Sequence, residues 1–105
     1  MVKINKLIDL CTEWSRERKI LTNGTLQSQT LKLVSEMGEL ADNVAKRRDI
    51  KDDIGDCMVV LNNLAVMSDT TLADCLEVAY NDIKDRRGSM NGAGVFIKET
   101  DRTKK

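Results

Sequence analysis

The sequence predicts an all-α fold, an antiparallel helical bundle of about four helices per chain. Pro is absent from the 105 residues, and β-branched runs are few, so the chain contains little that would break a helix. Apolar residues recur at helical spacing in four segments. The length fits a single domain, 1–105. Because so small a domain has a thin core, we expect oligomerisation to complete the bundle.

The first two predicted helices occupy the N-terminal half. The first runs from about residue 3 to 20 and ends near an Asn-Gly break. Its apolar stripe consists of Ile4, Leu7, Cys11 and Trp14. The second runs from about 26 to 47, with Thr25 as its N-cap.

The third and fourth helices follow after short connections. The third begins near Asp49, a plausible N-cap, and runs to about residue 67 with an apolar face that we expect to be buried. That face comprises Ile50, Ile54, Cys57, Met58, Leu61, Leu64 and Ala65. The fourth runs from the cluster 68–70 to about residue 87, where Gly88 resembles a C-terminal stop. The helical core therefore spans about 3–88. The tail 89–105 contains an apolar patch, 95–97, that we expect to be extended.

Charge and cysteine usage narrow the class of protein. The net charge is zero, so no global field favours a nucleic acid polymer as partner. Seven acids face four bases over 36–56, whereas seven bases face three acids over 84–105. Three scattered cysteines indicate reduced thiols. Since no signal peptide or membrane span is recognisable, we expect a cytoplasmic protein without membrane contact.

Two matching tetrapeptides carry the chemistry, Glu-Met-Gly-Glu at 36–39 and Asp-Ile-Gly-Asp at 53–56. Residues i and i+3 share a helix face, so each tetrapeptide directs two carboxylates the same way. The first acid of each pair, Glu36 and Asp53, also lies at the edge of an apolar stripe. If the two helices pack together, the four carboxylates should converge. The alternative for each acid is an ordinary solvated helix face.

Converging acids favour a hard divalent cation such as Mg²⁺, with Mn²⁺ as a substitute. Gly38 and Gly55 occupy the same place in the two tetrapeptides. Glycine within a helix costs about 1 kcal/mol relative to Ala, so we expect a partner helix or a ligand to approach closely there. The absence of His excludes the Glu-x-x-His ligands of di-iron bundles.

Residues elsewhere could bind the substrate. Asn81, Lys84 and Arg87 step by three along one face of the fourth predicted helix, where they suit a triphosphate and a base edge. The alternative is an ordinary basic surface. Trp14 suits base stacking, although its place on the stripe of the first helix favours a core or interface position.

The segments S-E-M-G-E-L-A-D and D-D-I-G-D-C-M-V-V-L resemble the MazG-like all-α nucleoside triphosphate pyrophosphohydrolases. The stretch 80–88 and the G-V-F-I-K-E segment after it are also similar to small phage and bacterial members. The resemblance implies hydrolysis of a nucleoside or deoxynucleoside triphosphate to the monophosphate and pyrophosphate, in a homodimer or homotetramer.

The resemblance also implies roles for the acids. Mg²⁺ would be held by Glu36, Glu39, Asp53 and Asp56, and water attack would depend on the catalytic residues Glu36 and Glu39. Two positions depart from the family signature. Ser35 stands where the first Glu is common, and Asp53 stands where Glu is usual. The alternatives are a weak or inactive nucleotide-binding regulator on the same fold, or a helical interaction module.

Overall fold

The computed structural model describes residues 2–102, and the side chains up to residue 100. It is mostly helical, as predicted. In chain order the elements are α1 (Ile4–Glu17), α2 (Ile20–Asn23), α3 (Leu26–Ala45), α4 (Lys51–Met67), α5 (Leu72–Ile83), β1 (Gly88–Met90), β2 (Phe96–Lys98) and α6 (Glu99–Arg102). Within this range no helix combines the length and the apolar character that crossing a bilayer requires.

The chain divides into two compact units, Met1–Leu72 and Ala73–Lys105. The first contains α1 to α4. The second contains nearly all of α5 and a two-stranded hairpin. The boundary between the two units therefore falls at the start of α5. The assignment of the whole chain to one domain stays a prediction.

In the first unit, α3 and α4 form an antiparallel helical hairpin. The Asn43 amide donates to Asp53 near one end of the pair, and the Asn63 amide donates to Gln29 near the other. A short turn connects the helices, with Arg47 in the left-handed region at φ 56°. The first helix is joined to α4 by a hydrogen bond of 2.8 Å from the Asn62 amide to the Thr12 hydroxyl.

The predicted N-cap is correct for α3 and differs by one residue for α4. Thr25 is the N-cap of α3. Its hydroxyl accepts from the Ser28 backbone N–H at 3.0 Å, and the Ser28 hydroxyl accepts from the Thr25 N–H. Asp49 is not the N-cap of α4, which is Ile50. The Asp49 carboxylate instead accepts a hydrogen bond from the N–H of Lys51, the first residue of α4.

The second unit corrects the predicted end of the fourth helix. Helix α5 ends at Ile83, and Gly88 begins β1 instead of stopping a helix. A Cβ on Gly88 would overlap the carbonyl oxygen of Ile97 and the Phe96 ring, so the close pairing of β1 with β2 requires glycine. The predicted extended patch at 95–97 falls partly in β2, which pairs antiparallel with β1.

The interior of the chain is thin and unusually polar. Among the described residues, only Val60 and Ala65 are buried apolar residues, whereas the buried polar ones are Ser15, Glu36, Asp53, Asn62 and Asn63. The predicted buried face of α4 is wrong for Ile54, Met58 and Leu61, which are exposed. The reason is that α1 and α3 contact only part of the surface of α4.

We expect Thr25→Ala to lower the free energy of unfolding by about 1 kcal/mol, because the capping box at the start of α3 is lost. The measurement is urea unfolding followed by circular dichroism. Thr22→Ala is the matched control, since the Thr22 hydroxyl makes only one long contact of 3.5 Å to the Lys19 carbonyl. Equal stability of the two variants would contradict a stabilising cap.

Candidate metal centre

Antiparallel packing of α3 on α4 brings the acidic tetrapeptides together. One carboxylate oxygen each from Glu36, Glu39 and Asp56 lies within 4.8 Å of the other two. We call these three residues the acidic cluster. Glu36 and Glu39 share a face of α3 because they are three residues apart. Asp56 faces them from α4.

Asp53 lies outside the acidic cluster, so the expected convergence of four carboxylates is correct for three. The Asn43 amide donates to both of its carboxylate oxygens, at 3.1 and 3.0 Å. Asp53 is buried in the first turn of α4, where the helix dipole also favours its negative charge. It is still close enough to raise the pKa of Glu39 and of Asp56. Its assignment as a metal ligand stays a prediction.

Glu36 is the most deeply placed member of the acidic cluster, with 7% of its surface exposed. One carboxylate oxygen, Oε1, lies 3.0 Å from the ammonium of Lys32. The other, Oε2, is buried and has no hydrogen-bond partner among the described residues. Burying a carboxylate oxygen without a hydrogen-bond partner costs free energy. The Oε2 atom of Glu36 therefore lacks one stabilising contact.

The pKa values of the cluster reflect the crowding of like charges. The pKa of Glu39 is raised, because its protonated form can share a hydrogen bond with Glu36 and its ionised form is repelled by the same group. Burial raises the pKa of Asp56, and the charges of Asp52, Glu36 and Asp53 add to the effect. The hydrogen bond from Lys32 lowers the pKa of Glu36. Among the described residues only Lys32 pairs with the cluster, so its negative charge is only partly neutralised.

The donor set fits a hard divalent cation. All donors are carboxylate oxygens, which Mg²⁺ and Mn²⁺ prefer. Around Mg²⁺, ligand oxygens are about 3.0 Å apart when they are neighbours and about 4.2 Å apart when they lie opposite each other. The oxygens of the acidic cluster lie within 4.8 Å, so cation binding would draw them closer together. The Oε2 of Glu36, which has no hydrogen-bond partner among the described residues while Glu39 is ionised, also suits a ligand at this place.

The two motif glycines have open surroundings. A Cβ added to Gly38 or Gly55 would meet no described atom within 4 Å. The expectation that a partner helix of the same chain approaches the backbone there is therefore wrong. The expectation of a ligand at this position stays a prediction.

The predicted substrate-binding residues lie in different units. Trp14, on α1, is 47% exposed, and the Arg18 guanidinium lies 4.3 Å from the centroid of its ring. Asn81 is in α5, but Lys84 and Arg87 follow the end of that helix at Ile83. The three do not share one helix face as predicted, because the chain turns towards β1. Their roles in substrate binding stay predictions.

A cleft of about 490 Å³ opens beside the acidic cluster. Its wall includes Glu36 and Asp56 together with Lys32, and it continues along α3 and α4 to Gln29 and Asn63. Trp14, Ile20, Val59 and Val60 add apolar surface. A volume of this size is in the range of small-molecule sites.

Sequence reasoning missed two residues of the site. Lys32 precedes Glu36 by four residues, which is the spacing of a helical ion pair and a signal that was available. Asn43 has no comparable signal. It meets Asp53 only because α3 and α4 pack in one particular register.

Comparisons with known proteins give one relative. The chain is 42% identical over 67 residues to a protein of Haemophilus phage HP1 (strain HP1c1) named "Uncharacterized 18.2 kDa protein in rep-hol intergenic region". The match covers 62% of this chain and 41% of that protein, so the chain spans less than half of its relative's length. No family model matches the chain, and no solved structure matches it.

In metal-free buffer we expect Glu39→Gln to raise the melting temperature by about 1–3 °C, because a like-charge contact is removed. Because the pKa of Glu39 is raised in the folded state, the wild-type protein loses stability as pH rises above the ordinary carboxyl value of 4.5. The gain in melting temperature from Glu39→Gln should therefore appear above that pH and vanish below it. Differential scanning calorimetry across pH measures both.

Glu13→Gln is the control for this experiment, because Glu13 is exposed and lies 2.7 Å from Arg16. Its removal should give no gain. A lower melting temperature for Glu39→Gln than for wild type at neutral pH would contradict repulsion within the acidic cluster.

Proposed function

We propose that this chain is a Mg²⁺-dependent nucleoside triphosphate pyrophosphohydrolase, which converts a nucleoside or deoxynucleoside triphosphate to the monophosphate and pyrophosphate. The observation that carries the proposal is the acidic cluster with the buried, partnerless Oε2 of Glu36. The resemblance of the two acidic motifs to MazG-like enzymes supports the reaction type.

Glu36, Glu39 and Asp56 would hold the cation, with Asp53 as a further candidate. The cation, when bound, supplies charge neutralisation to the triphosphate and lowers the pKa of the attacking water. Asn43 fixes the Asp53 carboxylate at the edge of the site. A carboxylate oxygen of Glu36 or Glu39 accepts the proton of the water that attacks the α phosphorus. The bond to the bridging oxygen breaks and pyrophosphate leaves.

Lys32 has a second role in this proposal. Its side chain is 59% exposed and flexible, and its ammonium pairs with Glu36. Lys32 also lines the cleft, where its ammonium would contact the phosphates of a bound nucleotide. Trp14 lines that cleft and would contact the base. Asn81, Lys84 and Arg87 belong to the proposal as further phosphate or base contacts.

Self-association is a further part of the proposal. Large apolar side chains are exposed on every long helix of the first unit, among them Leu10 on α1, Val34 and Met37 on α3, and Ile54 on α4. A second copy would cover such faces and complete the thin core. We place the resulting homodimer or homotetramer in the cytoplasm, where nucleoside triphosphates and Mg²⁺ are abundant.

The reaction is tested by phosphorus NMR with a panel of nucleoside and deoxynucleoside triphosphates and Mg²⁺. We expect pyrophosphate and monophosphate from wild type, and loss of product after chelation. Glu39→Gln and Asp56→Asn should each reduce the rate by at least about 100-fold, because a ligand of the cation is lost. Asp42→Asn is the matched control on α3, since Asp42 is exposed and pairs with Lys46 on the same helix.

Each other outcome has a defined meaning. Orthophosphate in place of pyrophosphate would contradict cleavage between the α and β phosphates. Nucleotide-dependent stabilisation by Mg²⁺ without any product would identify the inactive regulator. An unchanged melting temperature with Mg²⁺ and every nucleotide would leave the helical interaction module.

Association is tested by light scattering after size-exclusion chromatography. For the wild-type protein we expect a molar mass of twice the monomer mass or a higher multiple. Val34→Lys and Met37→Lys together should shift it towards monomer, because two charges enter the apolar face of α3. Ser35→Lys is the control, since Ser35 points about 100° away from Val34 around the helix. A monomeric wild type at all concentrations would contradict self-association.

A further inference from the structure

Asn63, on α4, has an unused hydrogen-bond acceptor. Its side chain is buried, with 3% of the residue exposed. The amide Nδ2 donates to Gln29 Oε1 at 3.1 Å. The amide oxygen, Oδ1, is buried and has no hydrogen-bond partner among the described residues. Buried acceptors are almost always paired in folded proteins, so this atom requires an explanation.

The neighbouring Asn62 does not share this unpaired acceptor. Asn62 is buried to the same extent, 3% exposed, and its amide donates to the Thr12 hydroxyl at 2.8 Å. That hydroxyl in turn donates to the Ile8 carbonyl at 2.9 Å. Asn62 therefore links α4 to α1, and its own oxygen is not among the buried atoms without a partner. Asn63 makes one bond to α3 and keeps an acceptor free.

Asn63 lines the same cleft as the acidic cluster. Asn63 and Gln29 line the cleft of about 490 Å³ that also contains Glu36, Asp56 and the Trp14 ring. Asn63 follows Asp56 by seven residues on α4, and Gln29 precedes Glu36 by seven on α3. At 1.5 Å per residue the amide pair lies about 10 Å from the acids. This separation is on the scale of a nucleotide from its α phosphate to its base.

We propose that Asn63, held by Gln29, reads the hydrogen-bonding edge of the nucleobase, with its Oδ1 accepting from an N–H of that edge. The inference rests on the proposed function in one respect, because the acidic cluster is taken as the phosphate end of the cleft. The ligand class is a planar heterocycle with an N–H donor in its plane, beside the Trp14 ring. A site built to pair with such a donor discriminates strongly against analogues that lack it.

Trp14 provides the readout, because it is the single tryptophan of the chain and lines the cleft. The probes are free nucleosides without phosphate, titrated in metal-free buffer while tryptophan fluorescence is recorded. We expect at least one nucleoside to quench the emission. For that nucleoside, the analogue methylated at its N–H positions should bind at least about tenfold more weakly.

Asn63→Leu is the matched variant, since Leu has a similar shape and no polar atom. It should weaken nucleoside binding at least about tenfold. Asn5→Leu is the control, because Asn5 is exposed on α1 and does not line this cleft, and it should change binding less than twofold. Circular dichroism verifies that both variants are folded. If Asn63→Leu does not fold, the methylated analogue on wild type decides the matter.

Three results would overturn the inference. They are the absence of quenching by any nucleoside, equal binding of the methylated analogue, and equal binding by folded Asn63→Leu. Because the probes carry no phosphate and need no metal, these results are independent of pyrophosphate release. Nucleoside binding that depends on Asn63, in a chain that releases no pyrophosphate, would sink the proposed reaction and leave base recognition standing.

Discussion

The antiparallel register of α3 against α4 is the constraint on which the rest of the structure depends. It fixes Asn43 opposite Asp53 and Gln29 opposite Asn63. Between these contacts it sets Glu36 and Glu39 against Asp56. A slip of one residue on either helix would rotate the acids away from one another by about 100°. The polar contacts at the two ends of the hairpin therefore serve as register markers for the centre between them.

The acidic cluster illustrates how a site can be stabilised only in part by its own chain. Lys32 neutralises one carboxylate oxygen of Glu36, and Asn43 satisfies Asp53. The raised pKa values of Glu39 and Asp56 show that the remaining charge is not balanced. Burial of Glu36 Oε2 without a partner adds to the strain. Such unbalanced groups are typical of positions where function, and not stability, determines the residue.

Much of this arrangement could be predicted from sequence, where the determinants are local. The N-cap at Thr25 and the shared face of Glu36 and Glu39 depend on residues three apart, and both are observed. The pairing of Asp53 with Asn43 depends on tertiary register, which helical periodicity does not contain. The same holds for Gly88, whose requirement for glycine arises from the Phe96 ring across the hairpin. Local patterns predicted the long helices and the cap of α3, whereas long-range contacts determined how the side chains of different elements pair.

The polar interior has a consequence for how the protein would behave in a cell. With only Val60 and Ala65 as buried apolar residues among those described, folding of an isolated chain gains little free energy from removing apolar surface from water. If copies assemble as proposed, assembly contributes a large share of the stability, and mass action makes the folded fraction depend on the amount of protein present. Newly made chains at low abundance would then be the preferred targets of proteases. The level of synthesis would thus act as a threshold for the accumulation of folded protein.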